Sequence, residues 1–532
     1  YSLTEGISEK VYNKIINQIL INLPTLEEWH DDKILKNFDN ISWNQSIIKL
    51  HKPENVGKYN SNFYERLAYD EILSTFLVHS EIRKNIKKIK KQKKFFDETY
   101  QKKILSRLQF ELTNDQKKSL YEINLDLKSS QKMFRLLQGD VGSGKTIVAL
   151  CAAANVIKSG FQVAVMTPTE ILARQHFDLA KKIFDKNINL EILSSKTEYK
   201  QKKTITNKLK EKEIDIIFGT HAIFQKKILF NKLGLIIIDE QHKFGVNQRK
   251  KLSDKGGDDC DVLLMSATPI PRTLTMTIYG DMDLSIIREK PKSRKEVKTY
   301  SKLESKIDDI LKFIKKEINN GNQIFWVCPL IEESKKIDHS SAVQKYEFLK
   351  KKFPNKVDLL HGKTDFDKKD MILKNFLNQK TKILVSTTVI EVGIDFPNAN
   401  VIIIENANKF GLSQLHQLRG RVGRGEKQST CILMFKSTLT ENAKKRLNIL
   451  KSSTDGFVIS EEDMKLRGFG DILGFKQSGV KIFKLADPVH NKDLFELAEK
   501  EIKFMQKNNI QLNKYKTLMK LYDQADVIND IV

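Results

Sequence analysis

Residues 139–146 read GDVGSGKT and have the form of a phosphate-binding loop. They follow a predicted strand and begin a predicted helix, the context in which backbone N–H groups wrap phosphates at a helix N-terminus. Lys145 is predicted to hold the β- and γ-phosphates, and the Thr146 hydroxyl to bind Mg²⁺. The loop residues expected to surround the phosphates are Gly139, Gly142, Ser143, Gly144, Lys145 and Thr146.

Two adjacent carboxylates follow another predicted strand further along the chain. The apolar residues 235–238 lead directly into Asp239 and Glu240, and His242 comes soon after. Ligands of open α/β sheets bind at the carboxyl ends of strands, so these side chains are expected near the phosphates. We predict that Asp239 holds Mg²⁺, that Glu240 orients and deprotonates the attacking water, and that His242 senses the γ-phosphate. A helix cap is the alternative for an isolated acidic pair, but the phosphate loop upstream favours catalysis.

Arginines that could stabilise a transition state lie much later, in QLRGRVGR at residues 417–424. An arginine supplied by a second domain accelerates phosphoryl transfer by roughly 10³- to 10⁵-fold, because charge spreads over the γ-phosphoryl oxygens. We predict Arg424 as this finger and Arg421 as its partner, with basic side chains about one turn apart on a helix. Gln417 completes the predicted catalytic set. The alternative is a basic surface helix that binds nucleic-acid phosphate.

Hydroxyl-bearing residues after two further strands are candidates for contacts with a nucleic acid. Thr387 and Thr388 follow a buried strand and could bind a backbone phosphate, while Asp395 could reach ribose or an arginine. Ser266 and Thr268 end an earlier strand and could relay the state of the phosphates to that surface. Taken alone, they also fit a routine helix cap.

A candidate adenine contact precedes the phosphate loop. Phe110 and Gln116 belong to the pattern F-x-L-T-x-x-Q, in which the ring would stack on the base and the amide would read its edge. The same pattern fits an ordinary capped helix start. Both interpretations stay open at this point.

The elements that must position these residues form two series of short β-branched runs separated by helical stretches, which is typical of parallel α/β architecture. Because these predicted strands are so uniformly apolar, we expect helices to cover both faces of their sheet. Two α/β units in tandem are therefore predicted, at residues 105–287 and 288–450, with a helical linking region at 1–104 and a small helical element at 451–532. The predicted strands are 133–138, 163–166, 214–219, 235–238 and 262–265, then 323–328, 357–360, 382–386, 401–404 and 431–435.

The composition favours a polyanionic partner. The 532 residues include 92 Lys and Arg against 67 Asp and Glu, a net charge of +25 that suits nucleic acid, although Lys-rich runs such as 82–103 also fit a solvated face. The four cysteines lack the C-x-x-C spacing of zinc or redox sites, which fits a reducing cytoplasm. No apolar run approaches the roughly 18 residues of a membrane-spanning helix.

Together the motifs resemble the ordered set of superfamily 2 helicases, and the finer match is to the RecG family. The resemblance covers most of residues 105–480. It implies two tandem RecA-like P-loop domains that use ATP and Mg²⁺, preceded by a helical region that follows the family's wedge domain, an OB-fold not seen in this sequence. It also implies a monomeric DNA helicase that acts on double-stranded and branched DNA, such as forks and Holliday junctions, in branch migration and the remodelling of stalled replication forks. The segments that carry it are MTPTEILARQH (166–176), FGTHAIFQ (218–225), DEQHKFGVNQR (239–249), MSATPIPRTL (265–274) and FGLSQLHQLRGRVGRG (410–425).

The resemblance also assigns residues to DNA contact and coupling. Residues 455–479 are similar to the helical hairpin that couples hydrolysis to translocation in this family. Phe469 stands where the family usually has proline, residues 475–476 replace a Thr-Arg pair, and Lys243 replaces an arginine. The rigidity of the loop and one arginine contact are therefore not carried over. The residues assigned to DNA contact or coupling are Thr167, Pro168, Thr169, Arg467 and Gln477.

Three alternatives remain beside this interpretation. The transcription-repair coupling translocase shares the hairpin and much of the motor, but Ser143, Gln241 with His242 and Gln248 with Arg249 favour RecG. A nucleotide-switched DNA-binding scaffold that does not hydrolyse ATP is opposed by the intact catalytic set. An RNA helicase is the third alternative, since the sequence does not show whether the protein recognises the 2′-hydroxyl group that distinguishes RNA from DNA.

Overall fold

The computed structural model of the chain falls into two compact units. The larger comprises Ile86–Pro271 and Met282–Leu466, and the smaller comprises Tyr1–Asn85, Arg272–Asp281 and Arg467–Val532. Among the described residues, no helix combines the length and apolarity that crossing a membrane requires. The structure describes residues 8–51, 61–95, 97–108, 110–194, 197–225, 227–240, 256–291, 294–329, 337–362, 364–387, 396–423, 425, 427–436, 438–467, 483–508, 510 and 512–522.

Within the described part of the larger unit, seven strands form one sheet in the order β3-β4-β2-β5-β6-β1-β7. Every pair of neighbours is parallel, so all carboxyl ends lie along one edge. The central position of β6 between β5 and β1 brings the ends of these three strands side by side. The strands are β1 (Phe134–Gly139), β2 (Gln162–Met166), β3 (Leu190–Leu193), β4 (Ile216–Gly219), β5 (Leu233–Ile238), β6 (Asp261–Ser266) and β7 (Asp283–Ile287).

A second sheet of six described strands follows in the same unit, in the order β10-β11-β9-β12-β13-β8, again parallel throughout. We call each sheet with its helices the first and the second domain. The tandem α/β architecture predicted from the sequence is thereby confirmed. The strands are β8 (Lys298–Leu303), β9 (Gln323–Val327), β10 (Val357–Leu360), β11 (Ile383–Ser386), β12 (Ala399–Ile404) and β13 (Thr430–Phe435).

The helices of the first domain alternate with its strands, as crossover connections between parallel strands require. The helix after β1 is buried along almost its whole length, with Ile147, Leu150 and Ala154 in the core, because it packs beneath the sheet. The helices of the described residues are α1 (Glu9–Ile21), α2 (Asp32–Leu35), α3 (Trp43–His51), α4 (Asn62–Lys88), α5 (Glu98–Ser106), α6 (Asn114–Lys128), α7 (Lys145–Lys158), α8 (Glu170–Ile183), α9 (Tyr199–Lys210), α10 (Arg272–Ile278), α11 (Ile307–Asn319), α12 (Ile337–Lys352), α13 (Phe366–Leu377), α14 (Leu412–Arg419), α15 (Glu441–Ser452), α16 (Gly456–Arg467), α17 (Lys492–Lys507) and α18 (Lys516–Leu521).

Three strands of the two sheets were not predicted from the sequence. All three lie at the edges of their sheets, where one flank has no partner strand. In β8 the side chains alternate between exposed and half-buried, and lysines stand at 298 and 302. Charged side chains are a common means of protecting an edge strand from further pairing, and they remove the apolar run on which the prediction depends.

The smaller unit joins the two ends of the chain in one hydrophobic core. Trp29, Tyr69, Phe495 and Leu518 are buried together, so helices from the N-terminal region pack with α17 and α18. Residues 1–104 and 451–532 are predicted from the sequence as separate elements. The structure divides them differently, because helical periodicity shows which face is buried but not which distant segment covers it.

Residues 89–95 are attached to the first domain by buried charge. The ammonium groups of Lys91 and Lys94 lie 2.6 Å and 2.8 Å from the carboxylate of Asp261, and all three side chains are buried. Asp261 also accepts a hydrogen bond from the Met133 backbone N–H, at 2.7 Å. Lys91 and Lys94 are therefore not available to solvent or to a polyanion, whereas Lys90 and Lys93 of the same stretch are exposed.

Replacing Asp261 by Asn should destabilise the first domain strongly, because two buried ammonium groups would lose their counter-charge. The free energy of unfolding should fall by about 3–5 kcal/mol, the usual cost of breaking a buried ion pair. Chemical denaturation monitored by circular dichroism measures the change.

Asp283→Asn is the matched control, since Asp283 pairs with the half-exposed Lys87 at 3.1 Å. Its effect should stay below about 1 kcal/mol. Equal effects of the two variants would contradict the structural role of the Asp261 cluster.

Candidate active site

The phosphate loop is already formed between β1 and α7. Gly142 and Gly144 have φ of 75° and 83°, a left-handed conformation that side chains other than glycine rarely adopt. The Lys145 ammonium donates hydrogen bonds to the carbonyl oxygens of Gly139, at 2.8 Å, and Asp140, at 3.0 Å. These bonds hold the lysine over the loop, and Thr146 follows it in the first turn of α7.

Gln116 connects the segment before β1 to the same loop. Its backbone N–H and the side chain of Thr113 form a capping box at the start of α6, so the capped-helix interpretation is correct. The Gln116 amide also donates to the Ser143 carbonyl oxygen, at 2.7 Å. Phe110 is 42% exposed and lines an open pocket of 460 Å³ beside this helix start. The adenine contact stays a prediction, and the described pocket leaves room for it.

The two adjacent carboxylates follow β5 and are both buried. Asp239 lies 2.9 Å from the imidazole Nε2 of His176, which comes from α8, and accepts a bond from the Glu240 N–H at 3.0 Å. Glu240 has φ of 53°, and the backbone N–H of Ala267 donates to its carboxylate. The ends of β5 and β6 therefore hold the acidic pair in a fixed orientation.

The protein drives the pKa values of these two carboxyl groups apart. Burial raises the pKa of Glu240, and the charge of Asp239 raises it further, against the positive charges of Lys145 and Arg421. Burial also acts to raise the pKa of Asp239, but the bond and charge of His176 and the charge of Lys145 outweigh it, leaving that pKa lowered. Asp239 is thus kept ionised as a metal ligand requires, while Glu240 has the higher proton affinity of a general base.

The second domain reaches the phosphate loop through a buried pair. His416, on α14, places its Nε2 2.7 Å from the Asp140 carboxylate, and the Lys290 ammonium lies 3.1 Å from the same group. Arg419 donates to the other imidazole nitrogen of His416, at 2.9 Å. Burial acts to raise the pKa of Asp140, but the hydrogen bonds from His416 and Lys290 and the charge of Lys290 hold it well below its usual range.

One geometric expectation for the arginine segment is wrong. The helix ends at Arg419, so Arg421 does not lie on it and instead follows in a loop. Gly420 follows that end, and Gly423, with φ of 78°, prevents the helix from continuing. Arg421 is nevertheless buried and its charge acts on Glu240, so the structure brings it to the acidic pair. Gln417 is half-buried on the helix itself.

The predicted DNA-contacting residues lie at the carboxyl edges of the sheets. Thr167 and Thr169 follow β2, where the Thr167 hydroxyl donates to the Thr169 carbonyl oxygen and Thr169 caps α8, with Pro168 between them. The hydroxyls of Ser266 and Thr268 bond each other at 2.9 Å after β6.

Two other predicted contacts differ sharply in exposure. Thr387 follows β11 but is only 3% exposed, so contact with DNA requires its surroundings to rearrange. Arg467 is the exposed last residue of α16. The remaining predicted residues, His242, Thr388, Asp395, Arg424 and Gln477, lie outside the residues that the structure describes.

Sequence reasoning missed three residues that organise this site. His176 and His416 lie within motifs but stand on helices, where a lone histidine gives no signal of its partner. Asp140 occupies a variable position of the phosphate loop. The only signal in the sequence is that each is a titratable group inside a predicted motif.

Two tandem parallel sheets, with a phosphate loop and acidic pair on one and a buried arginine segment on the other, define a superfamily 2 helicase motor. Two family models match accordingly, DEAD/DEAH box helicase over residues 113–277 and Helicase conserved C-terminal domain over residues 305–426.

Individual relatives narrow the class. The chain is 44% identical to the ATP-dependent DNA helicase RecG of Bacillus subtilis over 94% of its own length and 74% of that protein's, and 44% identical to that of Aquifex aeolicus over 97% and 67%. A solved structure of RecG bound to a three-way DNA junction matches with a TM-score of 0.71 and 39% identity, over 93% of this chain and 65% of that one. The chain belongs to the RecG family of ATP-dependent DNA helicases.

Replacing Glu240 by Gln should leave ATP binding intact and lower DNA-stimulated ATP turnover by about 10²- to 10⁴-fold, because an amide cannot accept the proton of the attacking water. Phosphate release measures turnover, and a fluorescent nucleotide measures binding. Glu211→Gln, at an exposed position of the same domain, is the control and should keep the parent rate. Turnover near the parent rate in the Glu240 variant would remove this residue from the mechanism.

Proposed function

We propose that the chain couples Mg²⁺-dependent ATP hydrolysis in the cleft between its two domains to movement on double-stranded and branched DNA. Branch migration and the remodelling of stalled forks and recombination junctions are the reactions it would drive. The observation that carries this proposal is the bond of 2.7 Å between His416 of the second domain and Asp140 of the phosphate loop, because it joins the two domains at the predicted nucleotide site.

The residues at the loop suit a magnesium nucleotide. Mg²⁺ prefers oxygen ligands, and the ionised Asp239 carboxylate and the Thr146 hydroxyl supply them near the phosphates. When bound, the ion would be held by Asp239 and Thr146 and would supply positive charge against the phosphates. Lys145 would exchange its two backbone carbonyl partners for phosphate oxygens, and Phe110 and Gln116 would receive the adenine.

Hydrolysis would use groups from both domains. Glu240 would orient the water and accept its proton, which its raised pKa favours. Arg424 as the finger, with Arg421 and Gln417, would stabilise charge on the γ-phosphoryl group. His242 would sense the γ-phosphate, and Asp395 would contact ribose or one of these arginines.

Movement on DNA would come from the opening and closing of the cleft. A three-way DNA junction is the ligand of the related RecG structure. Ser266 and Thr268 would relay the state of the phosphates to the DNA-binding surface. The residues proposed to contact the DNA are Thr167, Pro168, Thr169, Thr387 and Thr388. Most such contacts engage the phosphate backbone, which gives affinity that depends strongly on salt but does not select sequence. We place the monomeric motor in the cytoplasm, in keeping with four buried thiols.

A panel of nucleic acids tests the proposal. ATP turnover should rise with duplex, forked and four-way DNA, and affinity should fall steeply with salt, because the expected contacts are made to phosphates. Affinity for a fork and a matched duplex should agree within about threefold, since backbone contacts do not distinguish a junction. Phosphate release and competition binding at fixed salt are the measurements.

Each alternative has its own outcome in this panel. Turnover that no DNA stimulates contradicts the proposal, and binding without phosphate release would indicate a nucleotide-switched scaffold. Stimulation by RNA alone would indicate an RNA helicase. A large preference for the fork would show that the chain itself recognises the junction.

Replacing Arg467 by Ala should weaken strand separation and fork movement more than DNA-stimulated turnover, if α16 leads into the coupling hairpin. A strand-displacement assay beside the ATPase assay measures both activities in the same preparation. Lys465→Ala, an exposed cation on the same helix, is the control and should change neither. Equal loss of both activities in the Arg467 variant would contradict a role in coupling.

A further inference from the structure

One arginine of the segment between the two domains bonds both halves of the site. Arg294 lies between β7 and β8. Its Nη1 donates to the carbonyl oxygen of Val141 in the phosphate loop, at 2.8 Å, and its Nε donates to that of Gly423 in the loop after α14, also at 2.8 Å. Longer contacts of 3.4 Å and 3.5 Å join Nη2 to the carbonyls of Gly420 and Val422. A single guanidinium therefore spans the cleft.

The two loops are shaped to admit this side chain. A Cβ atom at Gly142 would lie 1.5 Å from Nη1 of Arg294, so any other residue there would displace the guanidinium. Gly142 and Gly423 both have positive φ, with the carbonyls of Val141 and Gly423 turned toward the arginine. The glycine at 142 thus serves the contact with Arg294 as well as the curvature of the phosphate loop.

The carbonyls that Arg294 holds belong to the segment that carries the predicted catalytic arginines. Gly420 and Val422 flank Arg421, whose charge acts on Glu240. Gly423 immediately precedes Arg424, the predicted finger. Fixing these carbonyls against the phosphate loop restricts the backbone on both sides of Arg421.

The geometry requires an arginine rather than any cation. A guanidinium presents N–H groups in several fixed directions and can serve acceptors on opposite sides, whereas an ammonium is a single point of charge. The four contacts described above are all made to neutral carbonyl oxygens. The contact therefore specifies position more than it neutralises charge.

We infer that Arg294 is a positioning residue of the hydrolytic step, which holds residues 420–423 against the phosphate loop so that the arginine segment can act on the γ-phosphoryl group. The inference depends on the proposed ATP hydrolysis. Arg294 acts through the arginine segment and not on the nucleotide, so its loss should affect the rate more than the binding of ATP. The buried pair of Asp140 and His416 makes a separate contact between the domains, so the fold does not depend on Arg294 alone.

Arg294→Met in the full chain is the first test. DNA-stimulated kcat should fall by about 10- to 100-fold, the scale expected when a catalytic group is misplaced by about 1 Å. The Kd of a fluorescent ATP analogue and the thermal midpoint should stay close to the parent values. Arg294→Lys should have an intermediate kcat, because an ammonium can reach one loop but not both. Lys295→Met removes an exposed neighbouring cation and should keep the parent kcat.

A double-mutant cycle with Arg424→Ala distinguishes positioning of the arginine segment from general stabilisation of the contact between the two domains. If Arg294 acts through the arginine segment, adding Arg294→Met to Arg424→Ala should cost less rate than Arg294→Met costs in the parent, because one of the arginines that it positions is already absent. Multiplicative losses would overturn the inference, as would parent-like kcat in Arg294→Met. Should that variant unfold, the same cycle with Arg294→Lys decides the question. These failures leave DNA-stimulated hydrolysis by the parent chain intact, whereas a parent without it would overturn the proposed function as well.

Discussion

The hydrogen bond between Asp140 and His416 is the contact on which the assembly of the site depends most directly. It joins the phosphate loop of the first domain to the helix that leads into the arginine segment of the second. Helix α16 begins against the same pair: a Cβ at Gly456 would lie 2.7 Å from His416 Nε2 and 3.0 Å from the Asp140 carboxylate carbon. Only a glycine leaves room there.

Helix α16 also bonds α14 through Asp463, which accepts from the Ser413 hydroxyl at 2.6 Å. Whatever shifts the phosphate loop therefore acts on the start of α16, whose far end leads toward the proposed coupling hairpin.

The acidic pair after β5 shows how neighbouring identical functional groups acquire different roles. Asp239 and Glu240 are adjacent in sequence and both buried, yet their pKa values move in opposite directions. The difference arises from partners, because His176 bonds Asp239 directly while Glu240 faces the charge of Asp239 itself. Two ionised carboxylates so close together repel each other, and the one that His176 bonds retains its charge. The proposed division into metal ligand and base follows from that asymmetry.

The sequence was sufficient for the tandem sheets and their order of motifs, because buried parallel strands appear as short apolar runs and phosphate loops have a fixed pattern. It was insufficient where a residue acquires its role from a distant partner. Asp140, His176, His416 and Arg294 each contact a segment that is remote in the chain, and no local period marks such pairs. The same reason explains the N-terminal and C-terminal helices, whose common core around Trp29 and Phe495 unites segments separated by the whole motor. Lys91 and Lys94 show that net charge does not indicate which basic residues are exposed. Both contribute to the positive net charge of the chain, but they are buried against Asp261.

The chemical character of the contact between the two domains fits a motor better than an apolar contact would. Asp140, His416, Lys290 and Arg294 join the domains through charged groups and carbonyl oxygens. Removing such groups from water costs nearly as much as their mutual attraction returns, so their net stabilisation is small, while their directional bonds define one geometry. A packed hydrophobic contact would stabilise more but define the geometry less. Its stabilisation grows with the apolar area buried, and much of that area stays buried when the two surfaces slide past each other. These directional bonds therefore favour a single arrangement of the proposed ATP-binding cleft, with residues 420–423 held at the phosphate loop.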